Sequence, residues 1–179
     1  MLVQRHAIVT EEDFLQLPES QEKVELLDGE VHVTPSPTFW HQELLCRVVT
    51  ELRNWAAGQE RPVTVGQAPL DVRMGQNRIL QPDAFVLFGR VPRQHSGPLD
   101  LVPAVCIEVL SADRVYDRVT KRFIYAAAGV DEYWIVDPAG VVERWHGPGL
   151  GQMDVVEKRL ATALLEGFSL EIAKLFAEM

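Results

Sequence analysis

Apolar positions along this chain recur with two different periods, and the alternation between them predicts the order of elements. Residues 10–17 read as a short helix, with Thr10 as its cap and Pro18 as its stop. The stretch "KVELLDGEVHV" reads as a hairpin, with Asp28-Gly29 supplying the tight turn. From 37 to 57 the apolar residues Leu44, Leu45, Val48, Val49, Leu52, Trp55 and Ala56 fall at helical spacing, and Gly58 ends the run. Strand signals follow over 63–73, 79–88 and 102–110, then a helix over 114–128 that stops at Gly129. "EYWIVD", a Pro-Ala-Gly turn and "VVERWH" form a second hairpin, and "LEGFSLEIAKLF" reads as a closing strand and short helix.

The core order is therefore helix, three strands, helix, strand, with an extra hairpin ahead of it. That order predicts an α/β or α+β fold in which helices flank a mixed central sheet. Residues 1–179 contain no internal repeat, low-complexity tract or Gly/Ser linker, so a single domain is expected. The mixture of 47% hydrophobic and 24% charged residues belongs to a globular chain with a substantial core. No apolar stretch is long enough to span a bilayer, and the first residues, "MLVQRHAIVTEED", lack the apolar block of a signal peptide. Cys46 and Cys106 fall in segments that read as buried, so both are expected to be reduced core residues of a cytoplasmic protein. The histidines and cysteines show no zinc-type spacing. A net charge of −9 argues against broad, non-specific binding to nucleic acid.

Against this pattern, several ionisable residues are out of place. Glu108 interrupts the apolar run "AVCIEVL", where an unpaired carboxylate would cost several kcal/mol to desolvate. Asp83 follows Pro82 and opens the run "AFVLF", and Glu25 lies between Val24 and Leu26. His41 shares the inward face of the 37–57 helix near its start. Each has a plainer reading. Glu108 could be one half of a buried salt bridge, Asp83 a strand-start residue, Glu25 a solvent-facing hairpin residue and His41 a satisfied core histidine. Asp71 alternates with Leu70 and Val72 and is expected to point outward. Acidic residues on two successive core strands, however, are what a hard cation such as Mg²⁺ needs, with positions left for water and a phosphate.

The pairing of Pro82-Asp83 with Glu108-Val109-Leu110-Ser111 resembles the PD-(D/E)xK nuclease signature, and the αβββαβ order is similar to that superfamily's core. More specifically, "VELLDGEVHVTPSP", "QPDAFV" and "IEVLSADRVYDRVTKRFIYAAAGVDEYWIVDP" resemble the Uma-two family of restriction endonucleases. One departure matters: the superfamily's lysine lies two residues after the second acid, and Leu110 stands there. The resemblance implies that Lys121, on the next helix, supplies the ammonium. On a helical wheel, though, Val115, Val119, Phe123 and Ala126 define the apolar face, which places Lys121 on the far side with Asp117 and Tyr125. A solvated pair between Asp117 and Lys121 is the plainer alternative.

The resemblance thus implies a metal-dependent endonuclease that hydrolyses double-stranded DNA. Asp83, Glu108 and the Val109 carbonyl would hold Mg²⁺ or Mn²⁺, Glu25 would complete the acidic cluster, and Lys121 would act on the water or the transition state. His41 and Tyr125 are second-rank candidates. Arg114, Arg118 and Arg122, with Arg90 and Arg93, are candidate phosphate contacts that localise positive charge on an acidic protein. Small nucleases of this fold commonly pair, so a homodimer is expected by analogy. Two other readings stand beside this one: a non-catalytic DNA-binding or assembly protein that kept the fold, and a phosphodiesterase acting on RNA or nucleotides.

Overall fold

The structure is a computed structural model, and it describes residues 8–18, 20 and 22–177. Part of the N-terminal stretch read above for a signal peptide lies outside the described residues. The first helix, α1 (Glu11–Leu15), opens on a capping box in which the Thr10 hydroxyl accepts from the Asp13 amide and the Asp13 carboxylate accepts from the Thr10 amide. The hairpin of β1 (Lys23–Leu27) and β2 (Glu30–Thr34) turns at Asp28 and Gly29, whose φ values of 50° and 91° are the two positive φ angles that such a turn requires. Thr38 then caps α2 (Phe39–Ala57), accepting from the His41 amide at 3.2 Å.

The predicted strands 63–73 and 79–88 are each broken in two. The chain forms β3 (Val63–Gln67), β4 (Val72–Gly75), β5 (Arg78–Leu80) and β6 (Ala84–Phe88). Pro69 and Pro82 fall in the gaps, and a proline has no N–H to give a strand ladder. The breaks have a topological consequence: β4 and β5 leave the main sheet and join the first hairpin in a four-stranded sheet of order β2-β1-β5-β4.

The chain continues through β7 (Val105–Val109), a π-helical turn (Tyr116–Lys121), α3 (Arg122–Ala128), β8 (Glu132–Asp137) and β9 (Val141–His146). It ends in β10 (Gln152–Val156), β11 (Arg159–Leu160), β12 (Leu170–Glu171) and α4 (Ile172–Leu175). The main sheet has the order β10-β9-β8-β7-β6-β3. It is mixed, because β7 and β8 are parallel across the helical crossover and the other neighbours are antiparallel.

Strand alternation sends the two faces of this sheet into different cores. Val86, Ile107, Trp134 and Val136 pack with Leu44, Val48 and Leu52 of α2 and with the C-terminal residues Phe168 and Leu175. Phe85, Cys106, Tyr133 and Ile135 pack on the other side with Met74 and Leu80 of the smaller sheet and with Ile124 and Tyr125 of α3. Each such aliphatic side chain contributes about 1.5–3 kcal/mol by leaving water. Cys106 is buried as expected, but Cys46 is exposed, because α2 turns Leu44, Leu45, Val48 and Val49 inward and leaves position 46 outside.

The crossover helix is turned the opposite way from its predicted wheel. Val115, Val119 and Phe123 are exposed at 68%, 43% and 62%, whereas Asp117 and Lys121 are each 2% exposed. The apolar stripe and the ionic stripe have the same spacing, so periodicity alone does not say which faces inward. Buried carboxylates on β1 and β7 decide it, since without an ammonium beside them their desolvation would outweigh the burial of a few more apolar groups.

Candidate active site

Alternation along β7 places Glu108 on the same face as Cys106, toward α3 and the smaller sheet. Register does the same for Asp83. Ala84 pairs with Ile107, so the preceding residue falls beside Glu108 on the adjacent strand. The two acids therefore meet at the floor of a cleft of about 690 Å³, whose walls include His32, Thr38, His41, Ser111 and Tyr116.

Asp83 is held from three directions. Its Oδ1 accepts from Lys23 Nζ at 2.9 Å, and its Oδ2 accepts from the Val109 amide at 2.9 Å. His41 Nε2 lies 3.2 Å from the same Oδ2. Burial pushes this carboxyl up, but Lys23 and His41 outweigh burial and hold it well below the usual carboxylate range. Val109 thus meets the cluster through its N–H.

Glu108 is more deeply enclosed. Its Oε2 accepts from Lys121 Nζ at 2.7 Å and lies 3.4 Å from Lys23 Nζ, while its Oε1 accepts from the Tyr125 hydroxyl at 2.6 Å. Burial dominates here. Lys121 and Lys23 offset part of it, Asp83 and Glu25 add to it, and the carboxyl is pushed up to about 7. Burial likewise raises the Tyr125 phenol, reinforced by the Glu108 charge, so Tyr125 stays a hydrogen-bond donor.

Glu25 has no exposed surface and sits behind the cleft wall. Its carboxylate accepts from the Gln81 amide at 2.7 Å and from the Tyr116 hydroxyl at 3.0 Å, and it lies 3.9 Å from Lys121 Nζ. Lys121 also lies 3.6 Å from Asp117, whose other oxygen accepts from the Ser111 amide and hydroxyl. Burial works against the Lys121 charge, but Glu108, Glu25, Asp83 and Asp117 keep its pKa well above the ordinary lysine value.

The fold thus brings Glu25, His41, Asp83, Glu108, Lys121 and Tyr125 into one network. It does not bring in the arginines. Arg114 pairs with Asp137, Arg118 with Asp137 and Glu143, and Arg122 lies over the Trp145 ring at 4.2 Å; none of the three lines the cleft. Asp71, expected to point outward, is half-buried and accepts from the Gln81 side chain.

Sequence reasoning missed Lys23, Tyr116 and the Ser111 contact to Asp117. Lys23 had a signal, since it lies two residues before Glu25 and so shares its strand face. Tyr116 had none, because its position depends on the π-helical turn that precedes Lys121. Such turns are frequent at functional sites.

Asp83 Oδ1 and Glu108 Oε2 both lie within 3.4 Å of a single ammonium nitrogen, so the two oxygens converge on one cation position at the cleft floor. Four carboxylates, from Glu25, Asp83, Glu108 and Asp117, face two ammonium groups, from Lys23 and Lys121. An all-oxygen pair on the buried floor of this cleft, with more carboxylates than ammonium groups around it, fits a hard divalent ion. Among the described residues, no group of three or more His, Cys, Asp or Glu side chains is arranged to hold one, so further ligands would come from backbone or water.

The model of a family described as "Uma2: Putative restriction endonuclease" matches residues 11–173. Among solved structures, the fold is similar to that of "a putative nuclease belonging to DUF820 from Anabaena variabilis ATCC 29413", with a TM-score of 0.77 and 23% identity over 94% of this chain and 97% of that one. No curated protein matches the chain. No helix among the described residues is long and apolar enough to cross a membrane.

Proposed function

The chain belongs to the Uma2 family of restriction-endonuclease-like proteins, and from that premise we propose that it is a metal-dependent endonuclease that hydrolyses DNA phosphodiester bonds. The observation that carries the reading is the convergence of Asp83 Oδ1 and Glu108 Oε2 on one cation position, with the Lys121 ammonium 2.7 Å from Glu108. Asp83, Glu108 and the Val109 carbonyl would hold Mg²⁺ or Mn²⁺. The ion would polarise a phosphate oxygen and lower the pKa of a bound water.

The protein's own residues account for the rest. The Val109 amide and His41 fix the Asp83 carboxylate, and Tyr125 and Lys121 fix Glu108, so both ligands are oriented before a substrate arrives. Lys121 is buried among carboxylates that keep it charged, which suits it to offset negative charge that builds on a phosphate in the transition state. Glu25 acts through others: it anchors Tyr116 and lies beside Lys121. We further propose that the whole chain acts as one domain in the cytoplasm, and that two copies pair to address both strands of a duplex.

Nicking of supercoiled plasmid in Mg²⁺ by the parent and by Asp83→Asn tests this function. The parent should nick and the variant should not. Absence of Mg²⁺-dependent nicking by the parent on varied DNA substrates, with metal bound, would favour the reading in which the fold serves assembly without catalysis.

A further inference from the structure

The two lysines of the cluster are held very differently. Lys121 is enclosed, with its side chain 3% exposed, Glu108 at 2.7 Å, Asp117 at 3.6 Å, Glu25 at 3.9 Å and the Tyr116 ring 5.3 Å away. Lys23 is at the cleft wall, its side chain 16% exposed, and among the described residues its ion pairs are to Asp83 and Glu108, at 2.9 and 3.4 Å. These are the same two oxygens that would ligate a divalent ion. A metal ion bridging them and the Lys23 ammonium cannot share that position, and two cations at van der Waals distance in a partly dehydrated cleft repel strongly.

We propose that Lys23 is a resident cation that a divalent metal ion displaces, and that the displaced ammonium then pairs with a phosphate of the nucleic acid in the cleft. This rests on the metal-dependent reading above. Without metal, Lys23 keeps two buried carboxylates from facing each other uncompensated. When an ion enters, the flexible four-carbon stem lets the ammonium swing into the cleft that it already lines. It has then lost both carboxylates, and a substrate phosphate is the anion best placed to replace them. Metal and substrate therefore bind with positive coupling: each makes the displacement easier for the other, by the same factor. Metal alone therefore binds more weakly than metal that binds together with the substrate.

The test is calorimetric titration of Mn²⁺ into the parent, Lys23→Met and Asp83→Asn, each with and without a phosphorothioate-linked DNA duplex. Lys23→Met keeps an unbranched side chain, one atom shorter, and removes its charge. Without DNA it should bind Mn²⁺ roughly tenfold or more tightly than the parent, because no ammonium has to leave. DNA should tighten Mn²⁺ binding in the parent by a larger factor than in Lys23→Met. Equal or weaker Mn²⁺ binding by Lys23→Met overturns the proposal.

A measurement on the parent alone guards against a variant that fails to fold. Acetylation of Lys23 by an amine-reactive ester, followed by peptide mass spectrometry, should increase when Mg²⁺ is saturating; unchanged labelling overturns the proposal. Failure of the underlying reading looks different. If Asp83→Asn binds Mn²⁺ as the parent does, or if neither the parent nor Lys23→Met binds it, the metal site itself is wrong and this proposal falls with it. Loss of binding in Asp83→Asn with no effect of Lys23→Met retains the site and rejects the displacement.

Discussion

Lys121 reaches Glu108 Oε2 at 2.7 Å from the helix that follows β7, whereas Leu110, one residue past the end of β7, is buried among apolar neighbours. The ammonium thus arrives in the cluster from the helix and not from the strand. Lys121 lies among Glu108, Asp117 and Glu25 there, and its removal has two separable effects.

Replacement of Lys121 by Met should lower thermal stability, because Glu108 and Glu25 lose the cation beside them; breaking a buried pair costs about 3–5 kcal/mol. Assayed well below its melting temperature, the variant should still bind Mn²⁺ while plasmid nicking falls roughly a hundredfold or more, the scale of losing one electrostatic stabiliser. Equal nicking by parent and variant would remove Lys121 from the chemistry.

The metal-free protein should become less stable as pH rises from 4.5 through about 7. Glu108 has its pKa raised from 4.5 to about 7, so the folded state binds the extra proton between those values and loses this advantage as pH rises. His41 acts in the same direction: burial lowers its pKa, but Asp83 raises it further, so its stabilisation is complete below 6.5 and is lost as pH rises through the folded value. Asp83, held low, contributes above 3.8 and weakens only as pH falls below that. Melting curves in EDTA across this range should therefore slope downward, and Glu108→Gln should flatten them. The same variant should cost little stability at pH 8. A loss of about 3 kcal/mol or more there would make Glu108 a structural ion-pair partner.

The orientation of the crossover helix is testable by two neighbouring substitutions. Phe123→Ser, on the exposed stripe, should change stability by no more than about 0.5 kcal/mol. Ile124→Ala, on the buried stripe, should cost about 2–5 kcal/mol. Urea denaturation of both variants checks this, and a larger loss for Phe123 would restore the wheel read from the sequence.

That wheel shows where the sequence was legible and where it was not. The Asp28-Gly29 turn, the Thr10 cap, the Gly129 stop and the apolar face of α2 are local chemistry, and each lies where sequence placed it. Asp83 and Glu108 stood out because a carboxylate next to an apolar strand run demands a partner. The orientation of Asp117, Lys121 and Tyr125 was hidden, because two stripes of equal spacing compete and the outcome depends on charges contributed by β1 and β7. Lys23 shares a strand face with Glu25, but its partners were not legible: they are 60 and 85 positions away, and only the joining of the first hairpin to β5 brings them near.

The arginines of the crossover provide a test of the DNA interface. Arg114 is 52% exposed at its side chain and paired with Asp137, so Arg114→Ala should cost little stability. If it exchanges that partner for a phosphate, the slope of log affinity against log salt should fall by about one unit. An unchanged slope, measured in Ca²⁺ to prevent cleavage, would take Arg114 out of the interface.

The claim that Asp83 and Glu108 form a cation site is tested most directly by the anomalous scattering of a crystal soaked in Mn²⁺. The account predicts a peak between Asp83 Oδ1 and Glu108 Oε2, with the Lys23 ammonium moved away from both. Density in which Lys23 still bridges the two carboxylates, with no anomalous peak beside them at saturating Mn²⁺, would contradict it.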